Sequence, residues 1–268
     1  MDAATGFGPR LREWRVARGL SQQKLAERAE VSTRHLSFLE TGRSAPSREM
    51  VLVLANALDL PLRERNAFLG VAGFAAVYRE SPLESPQMAQ VQRALGFLLR
   101  QHEPYGAIVV DRSWNVLSLN QGAMRMMAFF IDADAPPVAQ KNALHAVFHP
   151  AGLRRHMVDW ETVAGEIADR LHREASAPGG EEVAELLRAL LDYPDVPERF
   201  SHARTTAHPE PFLPVHLRKD GVDVRLFTLL ATLGTPLDVT AQELRIESYF
   251  PADEATDRWI RSLSSSNA

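Results

Sequence analysis

The chain has no cysteine among its 268 residues. Disulfides and thiolate-held zinc are excluded, and a reducing compartment is the natural expectation. No apolar run approaches the ~20 residues that a membrane-spanning helix needs. The opening stretch MDAATGFGPRLREWR lacks the apolar core of a secretory leader. These absences predict a soluble cytoplasmic protein. Signatures of chemistry are equally scarce. Gly6 and Gly8 form a Gly-x-Gly with no third glycine and no preceding strand, so a nucleotide-binding turn is not expected. His145 and His149 stand four apart, but the run His-Ala-Val-Phe-His lacks the glutamate of a zinc-protease motif and a third ligand, so no metal is expected. His202 and His208 lie in a proline-rich loop without partners. Acidic pairs such as Asp132/Asp134 and Glu181/Glu182 fall at a loop and a helix start, where solvation and the helix dipole account for them. No Ser/His/Asp set assembles. Neither catalysis nor a cofactor is expected.

What is present is unevenly spread. The net charge is -4, yet residues 1–80 carry 12 Lys and Arg against 9 Asp and Glu. Residues 81–268 carry 18 against 25. The basic excess is densest over residues 10–48, with 9 against 4. A basic segment joined to an acidic remainder fits a small nucleic-acid module attached to a region with another task.

The basic segment has the punctuation of short helices. Residues 8–18 place Leu11, Trp14 and Val16 or Ala17 at roughly helical spacing, and Gly19 stops them. Ser21 caps a helix over Gln22–Ala29, with Leu25 and Ala26 inward. After a turn at Glu30-Val31, Ser32 caps a helix over Thr33–Glu40, with Leu36 and Leu39 inward. Gly42 suits the left-handed close. Ser47 caps a fourth helix and Pro61 opens a fifth. One helix braces and the next is free to enter a major groove, the layout of a helix-turn-helix. LSQQKLAERAEVS, LETGR and PSREMVLVLANAL make residues 10–72 resemble the phage-repressor (Xre/Cro) type. That resemblance implies an ion pair between Arg15 and Glu40, a phosphate contact from Gln22, and base reading from Thr33, Arg34 and Ser37. Phe38 stands where the family often has a polar reader. The chemistry agrees: Arg34 can donate twice to guanine, worth about 1–3 kcal/mol of discrimination. Arg43 and Ser44 lie where phosphates pass, with Arg12 and Arg10 as further phosphate candidates.

From Tyr78 to Gln92 two Ser-Pro pairs mark a boundary. Ser85-Pro86 then starts a helix to about Gln101 whose stripe, Met88, Val91, Leu95, Leu98 and Leu99, either packs on its own domain or forms a dimer seam. Beyond Pro104, strands over Tyr105–Asp111 and Trp114–Leu119 read as a hairpin, and Asn120 caps a helix ending near Asp132. Helices are predicted over Gln140–Phe148, Leu153–Glu174 with a break near Val158, and Glu181–Leu191. A loop over Tyr193–Pro211 leads to strands Phe212–Arg218, Val222–Leu233 and Gln242–Phe250.

The fold class predicted is an all-α, five-helix helix-turn-helix domain over 8–76, a connecting helix over 77–102, and an α+β PAS-like domain over 103–258 with a five-stranded antiparallel sheet. WNVLSLNQGAMRMM, FHPAGLRRHMVDWETVA and TLGTPLDVTAQELRIESYFPADEAT resemble the MmyB-like regulators and carry the likeness over about residues 10–257. The resemblance implies that the second domain binds a small molecule, and a fatty acid is associated with the family. Met124, Met127, Phe129, Phe130, Trp160, Leu226, Thr228 and Leu230 are the lining candidates, with Val109, Leu117 and Leu119 on the inner face of the sheet. For an anionic head group the cations are Arg154, Arg155, His149 and Arg225, of which Arg154 and Arg225 adjoin apolar segments. Asp238, Thr240 and Glu243 are expected to close turns. The expectation is a ligand-controlled regulator, a homodimer on a double-stranded DNA operator with half-sites roughly 34 Å apart. The alternative is a second domain that binds a protein partner instead of a small apolar ligand.

Overall fold

The computed structural model describes residues 6–203 and 214–265. Among them the chain divides into two compact units. One holds the described residues up to Pro82, with Ala177–Gly179 and Thr235–Gln242. The other holds the rest.

The first unit contains helices α1 (Phe7–Ala17), α2 (Gln22–Arg28), α3 (Thr33–Glu40), α4 (Arg48–Ala57) and α5 (Leu62–Val71). Three serines start three of them. Ser21, Ser32 and Ser47 each accept from the backbone N–H three residues on, at 3.1, 3.1 and 3.2 Å. Caps of this kind are worth about 1 kcal/mol each. The turn between α2 and α3 holds Glu30 at φ +54, and Gly42 closes α3 at φ +71. Leu11, Leu25, Leu36, Leu39, Leu54 and Phe68 meet in one core. The Gly-x-Gly of the N-terminus has a packing explanation: a Cβ on Gly8 would stand 2.6 Å from the carbonyls of Leu39 and Glu40. The start of α5 has no side-chain cap of its own. Leu62 N–H donates instead to Gln242 Oε1 at 2.6 Å, and Val239 N–H donates to Arg79 O at 2.8 Å.

The second unit runs α6 (Ala89–Gln101), β1 (Ala107–Val110), β2 (Val116–Leu119), α7 (Gln121–Phe130), α8 (Pro137–Lys141), α9 (Ala143–Phe148), α10 (Trp160–Ala175), α11 (Glu181–Leu191), β3 (Val215–Lys219) and β4 (Val222–Thr232). It ends with β5 (Arg245–Pro251) and a helix over Glu254–Ser265. Between β4 and β5 in the chain lies α12 (Val239–Glu243), which belongs to the first unit as far as Gln242, so the final helix is α13. The sheet order is β2-β1-β5-β4-β3, antiparallel throughout. One face carries Ile108, Val110, Val224 and Leu226 into the main core with α7, α9, α10 and α11. The other face carries Ala107, Val109 and Ile246 against Leu95 and Leu99 of α6. Leu95, Leu99 and Val91 of the α6 stripe therefore pack on their own unit, while Leu98 is exposed.

Several predicted elements differ. The helix expected over Gln140–Phe148 is two, because Asn142 ends α8 in extended conformation and its side chain caps α9. The break expected near Val158 separates a 3-10 turn, Leu153–His156, from α10. The last strand starts at Arg245, because Asp238 Oδ1 accepts from Thr240 N–H and starts α12. Helix α13 was not anticipated. Within the third strand, Phe212 lies outside the described residues, as does His208.

Candidate functional site

The open face of the first unit is α3. Thr33 and Arg34 are exposed, and Ser37 and Phe38 are half-exposed. The guanidinium groups of Arg34 and Arg43 stand 5.3 and 6.0 Å from the Phe38 ring centre. Phe38 thus lies on the outer face under two cations and does not join the buried core beneath α3. Arg12 and Arg43 are exposed, and Ser44 is half-buried just past the helix end. Glu40 is buried and holds the interior side together. Arg15 Nε donates to Glu40 Oε1 at 2.5 Å, Arg15 Nη2 to Oε2 at 3.0 Å, and Gln22 Nε2 to Oε2 at 2.8 Å. The bond to Glu40 raises the Arg15 pKa, against the opposing effect of burial. Gln22 is therefore anchored at the start of α2 by the same carboxylate that fixes α1 to α3. Arg10 is engaged with Glu64 at 3.3 Å.

The second unit encloses a cavity of about 210 Å³ between the inner face of the sheet and the helices. Its lining is mostly apolar, including Ile108, Met126, Phe130, Val163, Ile167 and Leu226. Four predicted lining residues, Met127, Phe130, Leu226 and Thr228, do border it. Four others do not. Met124 is 49% exposed, because α7 turns Ala123, Met126 and Phe130 inward. Leu230 pairs with Glu247 but is 46% exposed near the end of β4. Trp160 donates to Val147 O at 2.8 Å and packs against Phe148 and Phe200. Arg154 lies 3.8 Å from the Trp160 ring centre and donates to Pro194 O and Asp195 O. Burial lowers the Arg154 pKa.

The remaining predicted cations are also placed elsewhere. Arg155 pairs with Asp132 at 2.8 Å, and Arg225 is exposed with Asp223 at 3.6 Å. His145 and His149 pack edge-on around Tyr193, with His145 Nδ1 2.7 Å from its hydroxyl. Among the described residues no group of three or more acidic or histidine side chains could hold a metal. On β1 Val109 faces α6 rather than the cavity side. On β2 Leu117 is exposed while Leu119 packs on the main core. The register shifts there, pairing Ser118 with Val109 but Val116 with Val110.

A family described as the MmyB-like transcription regulator ligand binding domain matches residues 91–263, and a helix-turn-helix family matches residues 11–65. The chain belongs to the MmyB-like regulators. No curated protein matches it at a significant level. A solved structure described as that of an RNA-binding light-oxygen-voltage receptor is 13% identical, with a TM-score of 0.28. The match covers 94% of this chain and 61% of that receptor. None of the described helices is long and apolar enough to cross a membrane.

The polar groups of this MmyB-like cavity escaped the sequence reading. Arg170, Glu247 and Tyr249 line it. Burial pushes the Glu247 carboxyl up, opposed by bonds and charge from Tyr249, Arg170 and Thr228. Burial, then Glu247, pushes the Tyr249 hydroxyl well up. The signal was available in RIESYF: a period of two puts Arg245, Glu247 and Tyr249 on one face.

Proposed function

We propose that this regulator binds its operator as a homodimer and is controlled by a small apolar ligand, a fatty acid being the candidate, held in a PAS-like domain. The observation that carries the reading is a mostly apolar cavity in the same chain as an exposed helix-turn-helix face. The sheet order, with its first and last strands adjacent at the centre, supports the PAS-like description. Thr33, Arg34, Ser37 and Phe38 would meet bases, and Arg12, Gln22, Arg43 and Ser44 phosphates. Arg15 and Glu40 set the angle at which α3 is presented. Met127, Phe130, Leu226 and Thr228 are the ligand contacts retained from the sequence; Met124, Trp160, Arg154 and Leu230 are not. Phe97 and Leu98, 54% and 45% exposed on α6, favour the rival reading of a protein partner.

Native mass spectrometry of the purified protein, followed by lipid extraction, reports the oligomer and a retained ligand together. A monomer would overturn the dimer, and absence of binding by any tested lipid would overturn the ligand. On DNA, Arg34→Ala should remove site preference and leave weak, salt-sensitive binding. An unchanged footprint in that variant would sink the assignment of α3 as the reader.

A further inference from the structure

The cavity has a polar end that its apolar lining does not explain. Trp114 borders it, 2% exposed, with its backbone in the left-handed region at φ +64. Two guanidinium groups lie near its indole ring, Arg170 at 4.4 Å and Arg245 at 5.1 Å from the centre. Trp114 Nε1, Arg170 Nε and Arg245 Nη1 are buried, and none has a hydrogen-bond acceptor among the described residues. Buried donors in folded proteins are nearly always satisfied, so each orphan calls for an explanation. Three around one ring at the edge of a cavity mark a place for an acceptor from outside the chain.

The carboxylate already there does not fill that place. Glu247 projects from β5 with Arg245 and Tyr249, beside Ile108 of β1 and Leu230 of β4. It accepts from Tyr249 Oη at 3.2 Å and is bonded by Thr228 of β4. Helix α10 faces it with Arg170 and adds Glu174 to the cluster. Glu174 stands 3.9 Å from Arg170 Nε and accepts from Arg245 Nη2 at 3.0 Å. With both glutamates ionised, Arg170, Arg245, Glu174 and Glu247 cancel; Arg173, which also acts on Arg170, is exposed to solvent. A further carboxylate at Trp114 and Arg170 would leave the cluster net negative. Two carboxylates forced into one poorly hydrated site hold a proton between them. A cationic head would meet two arginines, and a lone hydroxyl would satisfy fewer of the orphan donors.

We propose that the cavity takes a long-chain monocarboxylate whose head group accepts from Trp114 Nε1 and Arg170 Nε, and that the complex holds one proton shared between that head group and Glu247. The proposal rests on the apolar-ligand reading above and adds the residues that hold the head group and the proton. No bond is made or broken beyond the O–H: the proton comes from solvent and returns there when the ligand leaves.

The test is calorimetric titration of the full, delipidated chain with dodecanoate, dodecanol and dodecylamine, from about pH 6.5 to about pH 9, in two buffers of different ionisation enthalpy. Dodecanoate should bind more tightly than dodecylamine. At the alkaline end it should take up one proton, its affinity falling about tenfold per pH unit. Glu247→Gln should flatten that profile and abolish the uptake while dodecanoate still binds. Arg170→Met should weaken dodecanoate by about tenfold or more and leave dodecanol nearly unchanged. If Arg170→Met does not fold, Trp114→Phe, which removes one donor, should weaken dodecanoate more than dodecanol. Proton uptake of zero at the alkaline end, equal losses for both ligands, or tighter binding of dodecylamine would each overturn the proposal. Dodecanol binding without dodecanoate binding would overturn the head group and leave the apolar cavity standing. If none of the three binds, the apolar-ligand reading falls too.

Discussion

Glu40 shows how one side chain can carry an interface. It is buried and receives Arg15 twice and Gln22 once, while Arg15 also donates to Leu20 O at 2.8 Å. Removing it strands a largely buried guanidinium. Glu40→Ala should therefore cost about 3 kcal/mol or more in urea unfolding. The pair Arg15→Met with Glu40→Leu should recover most of the loss, since an apolar replacement leaves no charge behind. A second test concerns Glu247. Burial makes the folded protein hold this proton more tightly than the unfolded chain does. Stability from this group therefore falls as pH rises from the ordinary 4.5 through the raised value, and is level beyond it. Glu247→Gln should lack that decline in thermal melts run across the acid-to-neutral range. An identical slope in the two proteins would remove the burial argument.

Elements were readable where one local rule decides. Serine caps and glycine stops act on the nearest residues of the chain, and the stripe of α6 repeats at helical spacing, so sequence spacing finds them. Asn142 was harder, because the same side chain that starts α9 bonds Ser113 O and Asn115 Oδ1 far upstream. Strand faces were hardest. In β2 the irregular register puts Val116 and Leu119, three apart, on one side, which strict alternation forbids. Arg170 was missed for a related reason: a charged residue on an amphipathic helix reads as solvent-facing, and only the fold brings the polar face of β5 beneath it. In α6 the two sides of the helix should separate cleanly by mutation. Leu99→Ala removes a buried contact to the sheet and should cost about 2–4 kcal/mol. Leu98→Ala, on the exposed side, should change stability by about 0.5 kcal/mol or less. Equal effects in denaturant melts would contradict this orientation of α6.

The whole molecule joins a reading unit and a sensing unit, each with its own apolar core. The composition anticipated this as a basic first portion and an acidic remainder, and the helix-turn-helix and its ion pair could be placed to the residue. The cavity could be placed only to the region, since a cavity is made by side chains distant in sequence. Gln242→Ala deletes the acceptor at the start of α5 and should lower the stability of the first unit by about 1 kcal/mol. Hydrogen exchange at the Leu62 amide would report it locally, and unchanged protection there would count against the bond.

That bond bears on how such a protein can be rebuilt. The unit that carries α1 to α5 is completed by Ala177–Gly179 and by Thr235–Gln242, the latter spliced between β4 and β5. A chimera made at a single junction near Pro82 would graft a head onto a body carrying someone else's Gln242 and Asp238. Recombination that respects this architecture needs five crossovers: one after Pro82, one on each side of Ala177–Gly179 and one on each side of Thr235–Gln242.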